Sequence, residues 1–352
     1  MISDLHALRE KIETEAFSLG FNHIGIAPAL PAPHYPDFLA WIKVGHHAEM
    51  DYLAREDAVQ KRGDPTRILD NCQRVILLAM PYKRPQTPIN AENLGKGRLS
   101  AYAVTRDYHE IIWEKLAHLE TFIQNKTNQL VALKSYVDTG PVLERAYASR
   151  AGIGITGKNS CLIIQGTGSY FFLAEILTDL VLPVDAPYTR DLCGSCRRCI
   201  EACPTQCILP NHTIDAGRCI SYLTIENKGA IPDDLKDQIG SWAFGCDVCQ
   251  AVCPHNAWTS DQTYPLGEPV LPEWIDLAAL FYIDEAAFRN KFGQTPLSRA
   301  KRRGILRNAA VVLGNQRHQA ALPALKTALA HEKDPVIQDS CRWAINKIEQ
   351  KS

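Results

Sequence analysis

The sequence lacks several features, and each absence excludes something. No apolar run approaches the roughly 20 residues that cross a bilayer. The best stretch, 170–184, is broken by Glu175 and Asp179. The opening MISDLHALREKIE lacks the apolar core of a signal peptide, so a cytosolic protein with no membrane partner is expected, its thiols reduced. There is no P-loop and no well-placed G-x-G-x-x-G; Gly152-Ile-Gly154 comes nearest and continues wrongly. Between Glu285 and Glu332 there is no acidic residue at all. Hydrophobic residues, in contrast, make up 46% of the 352, enough to exclude a disordered chain and to fill two or three domains.

Residues 1–182 alternate helical and extended patterns. Leu5, Leu8, Ile12, Ala16 and Leu19 recur at helical spacing up to Gly20. Segments 21–27, 75–80 and 131–137 read as strands. Segment 108–124 reads as a helix with Ile111, Ile112, Leu116, Leu119 and Phe122 on one face. Residues 141–150 fit a short helix with Pro in its first turn. Segments 161–165 and 170–178 flank Gly166-Thr-Gly-Ser169 and predict a hairpin. The fold class is α+β, with a front α/β domain whose sheet is at least partly antiparallel. Pro-bearing stretches at 183–187 and 264–272 suggest linkers, giving domains 1–182, 183–265 and 266–352. The last of these predicts helices over 297–314, 320–330 and 335–348 in a pattern like HEAT repeats.

The cysteines are the strongest signal. Of 12, nine lie between Cys193 and Cys253. Cys193-x2-Cys196-x2-Cys199-x3-Cys203-Pro204 is the bacterial ferredoxin spacing for [4Fe-4S] clusters, in which the fourth Cys ligates the other cluster. Cys246-x2-Cys249-x3-Cys253-Pro254 repeats its ending without its first Cys, and Cys219 can supply the missing thiolate. The crossed assignment gives Cys193, Cys196, Cys199 and Cys253 to one cluster and Cys203, Cys219, Cys246 and Cys249 to the other. Zinc also takes Cys-x2-Cys pairs, but leaves the third Cys of the first run and both Cys-Pro endings unexplained. Cys72, Cys161, Cys207 and Cys341 remain as small buried hydrophobes. Two clusters form an electron wire, and a wire alone needs no 180-residue domain ahead of it. The front domain should hold the acceptor.

The acid-free stretch carries Arg289, Lys291, Arg299, Lys301, Arg302, Arg303, Arg307, Arg317 and Lys326, a charge of +9 in a chain of -1. Such polarity fits a polyanion-binding surface, with Arg299, Lys301, Arg302, Arg303 and Arg307 as the phosphate contacts; a solvated face or a patch docked on the acidic remainder is the bland alternative. Asp138 stands at a strand end before a helix, as a catalytic acid or, with Thr139, as the cap of that helix. Gly157-Lys158-Asn159-Ser160 is a polar turn that contacts a ligand or only turns the chain. His109, at a helix start, reads as structural.

Together, Asp138-Thr-Gly-Pro-Val-Leu-Glu-Arg145, Gly157-Lys-Asn-Ser160, the Cys193 array, Arg218-Cys-Ile-Ser-Tyr-Leu-Thr-Ile-Glu226, Phe244-Gly-Cys-Asp-Val-Cys-Gln-Ala-Val-Cys-Pro254 and Arg307-Asn-Ala-Ala-Val-Val-Leu-Gly-Asn315 resemble the epoxyqueuosine reductase family over essentially the whole chain. The resemblance implies a cobalamin-binding front domain of the reductive-dehalogenase and nitroreductase-like kind, a ferredoxin-like module and a HEAT-like tail. It implies reduction of the epoxide on the wobble base of tRNA, the last step of queuosine synthesis, by a monomer fed by an external low-potential electron donor. It also implies cobalamin contacts at Lys158, Asn159, Ser160, Ser221, Tyr222 and Asp247, and Asp138 as the acid, with a carboxyl pKa raised by burial. The histidine-donating D-x-H-x-x-G signature is absent, so no protein imidazole on cobalt is expected. A cobalamin reductase of a small molecule, or a bare electron carrier, would need neither the basic tail nor the front domain, respectively.

Overall fold

A computed structural model describes residues 2–350 apart from 83, 89, 128 and 258–264. The expected linker start at Tyr264 therefore lies outside the described residues. Nine strands are present among the described residues: β1 His23–Pro28, β2 Arg74–Pro81, β3 Lys96–Leu99, β4 Leu133–Tyr136, β5 Ile155–Thr156, β6 Leu162–Ile163, β7 Phe171–Thr178, β8 Trp242–Phe244 and β9 Trp274–Asp276.

The main sheet has the order β1-β2-β7-β4 and every pairing in it is antiparallel. Strand β2 is buried from Val75 to Pro81, so both its faces are covered. Alternation sorts the side chains. Ile76, Leu78 and Met80 join Leu8, Ile12, Leu116 and Leu119 under the helices Ile2–Ser18 and Tyr108–Lys126. Val75, Leu77 and Ala79 turn the other way, onto Tyr147, Ala148 and Ala151 around the helix Glu144–Arg150. That helix starts three residues later than the sequence suggests. Its cap position is Leu143, with no side-chain cap, which removes the capping role considered for Asp138 and Thr139.

The expected hairpin is only half present. A bridge between Ile164 and Gly168 closes a tight turn. The flanking strands then part, β6 pairing with β5 and β7 entering the main sheet. Strand β7 is long, and burial on both sides draws it between β2 and β4, where a two-stranded hairpin would leave it exposed.

A second sheet, β8-β3-β9, takes one strand from each of the three sequence segments; β3 runs parallel to β8 and antiparallel to β9. The largest core crosses the same boundaries, joining Leu99 and Val104 to Leu223 and Phe244 and to Ile305 and Val312. At its centre lies the helix Lys301–Asn315, buried at every position from Gly304 to Gly314. A helix buried all round behaves as core and not as a surface stripe. Gly314 lets the helix Pro335–Glu349 close in, since an added Cβ would lie 2.6 Å from the Trp343 ring. Among the described residues no helix is long and apolar enough to cross a membrane.

Candidate active site

Asp138 follows β4 with φ 57, in the left-handed region that costs a residue bearing a side chain about 1–2 kcal/mol. The twist turns its carboxylate away from the helix behind it and toward the helix Tyr108–Lys126. There the Tyr108 hydroxyl donates to Oδ2 at 2.7 Å, and Nε2 of His109 lies 3.6 Å away. Tyr108 is itself fixed, stacked on Phe172 of β7 at 3.9 Å between centroids. Asp107 caps the helix through the His109 N–H, and its Oδ1 also meets Nδ1 of the same imidazole at 2.7 Å. Arg299 arrives from the tail, with Nη1 3.5 Å from Asp138 Oδ2 and Nη2 2.6 Å from His109 Nε2. The two imidazole nitrogens thus face a carboxylate on one side and a guanidinium on the other.

This set reverses one expectation. Burial works to raise the Asp138 carboxyl, but the hydrogen bonds from His109 and Tyr108 and the Arg299 charge outweigh it and hold the group at about 2. Asp138 is therefore ionised near neutral pH here, where the acid role had called for a raised value. The raised carboxyls are its neighbours. Burial and the Asp138 charge push Glu144 up to about 8, although Glu144 accepts the Asp138 backbone N–H. Glu175, fully buried on β7 with neither oxygen partnered, is driven well above the usual range, first by burial and then by Glu144 and Asp138. His109 is raised despite burial, because Asp107 and Asp138 outweigh Arg299.

The array cysteines neighbour one another. The thiol of Cys199 is raised by burial and by Cys193, Cys253 and Cys196, and that of Cys246 by burial and by Cys219 and Cys203. A [4Fe-4S] cubane takes one thiolate on each of its four irons. Two supposed bystanders stand closer than the spacing suggests. Cys207 Sγ is 3.5 Å from Cys203 Sγ and also bonds Cys219, while Cys161 bonds Cys249. Both therefore border the second set of the crossed assignment. Cys72 and Cys341 are buried and apart.

The expected cofactor residues divide. Lys158 Nζ donates to the carbonyls of Gly194 and Cys196 at 2.6 and 2.9 Å, and the Ser160 hydroxyl to that of His212 at 2.6 Å. In this structure these donors brace the cysteine loops. Buried Asn159 spans its own turn, accepting from Cys161 N–H at 3.2 Å and reaching the Cys249 carbonyl at 3.4 Å. The Tyr222 hydroxyl accepts from Glu49 N–H at 3.0 Å. Asp247 is buried, takes the Ala101 N–H at 2.7 Å and is pushed up to about 7 by burial. Ser221 is half-buried on the helix Ile220–Ile225. Tyr102 stands between the two carboxyls, its ring 6.2 Å from that of Tyr108, which holds Asp138, and 6.2 Å from that of Phe244, three residues before Asp247.

Comparison with known proteins settles the family. Residues 62–139 match the profile described as "Epoxyqueuosine reductase QueG, DUF1730", and residues 192–256 that of a 4Fe-4S double cluster binding domain. The chain is 37% identical to the epoxyqueuosine reductase of Pseudomonas aeruginosa over 97% of its own length and 94% of that protein's. The Escherichia coli epoxyqueuosine reductase is 37% identical over 99% and 92% of the two chains. The chain belongs to the epoxyqueuosine reductase family. Among solved structures, an epoxyqueuosine reductase with an epoxyqueuosine-modified tRNA-Tyr stem loop superposes with a TM-score of 0.90 at 31% identity, covering 98% of this chain and 91% of that one. The Bacillus subtilis epoxyqueuosine reductase with its catalytic aspartate loop swung out of the active site gives 0.88 at 31% identity over the same shares.

The basic set requires the largest correction. Arg307 is 1% exposed, its guanidinium donating to the carbonyls of Leu223, Asn227 and Gly229, so it is a core clamp and cannot meet a phosphate. Arg302 is paired with Glu332 and donates to the Ile283 carbonyl, and Arg303 pairs with Asp334 at 2.9 Å. The acids missing from the sequence window stand just beyond it and fold back onto it. Arg299 belongs to the Asp138 cluster. Among the described residues, Lys301 alone of the five is exposed and makes no ion pair. Sequence reasoning also passed over Tyr108 and Glu144, and undervalued His109. The signal was the run Asp107-Tyr-His109, where one residue caps a helix and the next two project from its first turn.

Proposed function

We propose that this chain reduces epoxyqueuosine in tRNA to queuosine, with Asp138 delivering protons to the epoxide oxygen. The observation that carries this reading is the Asp138 cluster, a carboxylate on a strained loop held by Tyr108, His109 and Arg299. Conversion of an epoxide to an alkene consumes two electrons and two protons and releases water. Charge develops on the leaving oxygen, and a donor within hydrogen-bond reach of that oxygen is required. Asp138 is half-exposed, Tyr108 and Arg299 orient it, and Glu144 holds its backbone N–H.

The residues fit the two kinds of cofactor implied by the family. Cys193, Cys196, Cys199 and Cys253 would hold one [4Fe-4S] cluster, and Cys203, Cys219, Cys246 and Cys249 the other. For cobalamin the fit lies in the donor chemistry near Asp138: His109 is engaged at both nitrogens and offers no ligand to cobalt, while half-buried Ser221 and buried Asp247 adjoin Cys219 and Cys246 in the chain. Cobalamin, when bound, supplies the two-electron reducing chemistry at carbon. A substrate base swung out of its loop would cover half-exposed Asp138 and exclude water. Exposed Lys301 and half-exposed Arg303, with exposed Arg289 and Lys291 on the helix Glu285–Phe292, offer positive charge for the RNA backbone. An open hollow of about 580 Å³ beside Cys253, edged by Arg198 and Glu201, exposes the first cluster's side to an external electron donor. A tRNA substrate and thiolate-held clusters fit a reaction in the reducing cytoplasm.

The test is anaerobic purification, iron and corrin analysis, and nucleoside mass spectrometry after incubation with epoxyqueuosine-bearing tRNA and reductant. Queuosine should form, and Asp138→Asn should keep iron and corrin while losing about 10²–10⁴ in rate. Loaded enzyme that leaves epoxyqueuosine unchanged would refute the function, and wild-type rates in Asp138→Asn would refute the acid.

A further inference from the structure

We propose that His109 is the proton carrier of this site: its imidazole takes up a proton and hands it to the Asp138 carboxylate, which passes it to the substrate oxygen. The inference rests on the function proposed above and goes past it, because a single carboxyl holds one proton and the reaction consumes two.

The balance is as follows. The Asp138 carboxylic acid protonates the epoxide oxygen as the first C–O bond breaks. The imidazolium of His109 then transfers its Nε2 proton to the Asp138 carboxylate. Asp138 passes this second proton to the hydroxyl, which departs as water as the second C–O bond breaks. The two electrons go to carbon and come from the external one-electron donor. His109 ends neutral and reloads from solvent. In the ligand-free chain Asp138 starts ionised, so even the first proton must be brought to it.

Three polar side chains reach Asp138 Oδ2. The Tyr108 hydroxyl is a poor acid, driven further up by burial and by Asp138. Arg299 does not release a proton near neutral pH. His109, with Nε2 at 3.6 Å, is the one that exchanges protons in that range. Its ring is aimed for the task. Asp107 Oδ1 lies 2.7 Å from Nδ1, and the ring packs on Tyr108 at 4.0 Å between centroids, leaving Nε2 toward Asp138. Its side chain is 12% exposed, so solvent can reload it.

The charges around the ring come from three elements. Its own helix start brings Asp107, which favours the imidazolium, and the more distant, exposed pair Arg106–Glu110 at 3.6 Å. The loop after β4 brings Asp138, backed by Glu144, and also favours it. The tail brings Arg299, which opposes it and is itself drawn by Tyr108, Asp138, Tyr102 and Glu226. Arg299 Nη2 and a protonated Nε2 cannot share 2.6 Å, so loading the ring moves the guanidinium toward Asp138, which it already faces.

The test is the pH profile of single-turnover rate for the cofactor-loaded enzyme on epoxyqueuosine-bearing tRNA. Wild type should be flat at pH values below the raised His109 pKa and fall above it. His109→Gln should lose the plateau, falling about tenfold per pH unit across this range, as expected when solvent must protonate Asp138 directly, with a drop at pH 7 of roughly 10²–10⁴. Asp107→Asn, which keeps a good helix cap, should move the wild-type limb to lower pH by roughly one unit or more. Imidazole added to His109→Gly should restore rate in proportion to its protonated fraction. Iron content and tRNA affinity of all three variants should match wild type. A wild-type plateau in His109→Gln, an unmoved limb in Asp107→Asn or no imidazole rescue would overturn the proposal. An inert wild type would instead refute the function it rests on.

Discussion

Arg307 separates a core role from an RNA role most sharply. Replacing it with Met keeps the aliphatic stem and deletes a guanidinium that donates to Leu223 O and Asn227 O at 2.6 Å and to Gly229 O at 2.8 Å. Asn308 adds two contacts to the same group through Oδ1, at 3.0 and 2.9 Å. Burial lowers the guanidinium to about 10, which still leaves it charged near neutral pH. Three buried carbonyls would lose their donor at about 1–3 kcal/mol each. Local relaxation and entering water reduce the sum, so about 3–5 kcal/mol of stability should be lost. At about 2 °C per kcal/mol for a chain of this size, the melting temperature should fall by roughly 6–10 °C. Anaerobic melting of the cluster-loaded protein measures this, and fluorescence anisotropy with a tRNA anticodon stem-loop measures binding at a temperature where both proteins are folded. The stem-loop affinity should stay within about twofold of wild type. Unchanged melting together with tenfold weaker RNA binding would refute the burial argument and return Arg307 to the RNA surface.

Reversing Lys301 and Arg303 to Glu should weaken stem-loop binding and flatten its salt dependence by about two phosphate contacts, with little effect on melting; an unchanged salt slope would place the RNA elsewhere. Glu175→Gln should stabilise the protein increasingly as pH rises. The folded pKa of Glu175 is raised, so wild-type stability is complete below the unfolded carboxyl value and declines by about 1.4 kcal/mol per pH unit above it until the folded group ionises. Parallel stability curves for the two proteins would show that Glu175 is solvated. Cys203→Ser should cost about half of the roughly eight irons, whereas Cys207→Ser should keep them all. Equal loss in both would make Cys207 a ligand.

Much of this architecture is legible in the sequence because it rests on local rules. The helix Tyr108–Lys126 follows from its apolar face, β2 from an unbroken apolar run, and the two-cluster module from the cysteine spacing that a cubane imposes on a short loop. What the sequence conceals depends on which way a side chain faces in three dimensions. Arg299, Arg302, Arg303 and Arg307 lie within nine residues of one another. They end up at the Asp138 cluster, on Glu332, on Asp334 and in the core. Charge counting assigns them a single role because a helix buried on all sides leaves no polar face to mark its inside. The Asp138 pKa was misjudged for a similar reason, since burial alone raises a carboxyl and the three groups that lower it come from distant segments. Cys161 borders the second cysteine group only because the turn before β6 is pinned against the cysteine loops.

The three-stranded sheet β8-β3-β9 also sets a timetable. On the ribosome, β3 emerges with neither neighbour in existence, and β9 follows about 175 residues later. At roughly 5–20 residues per second that is a delay of about ten to thirty-five seconds. During it the front sheet can already form, and the cysteine loops emerge without the Lys301–Asn315 helix that later fills the core beside them. Iron can therefore meet these thiols before the fold is complete, and the last stretch of chain to be made locks the metal-bearing segment against the front domain. A chain released early, even one carrying Asp138 and every cysteine from Cys193 to Cys253, would be an open-sided protein with one edge of β3 left bare.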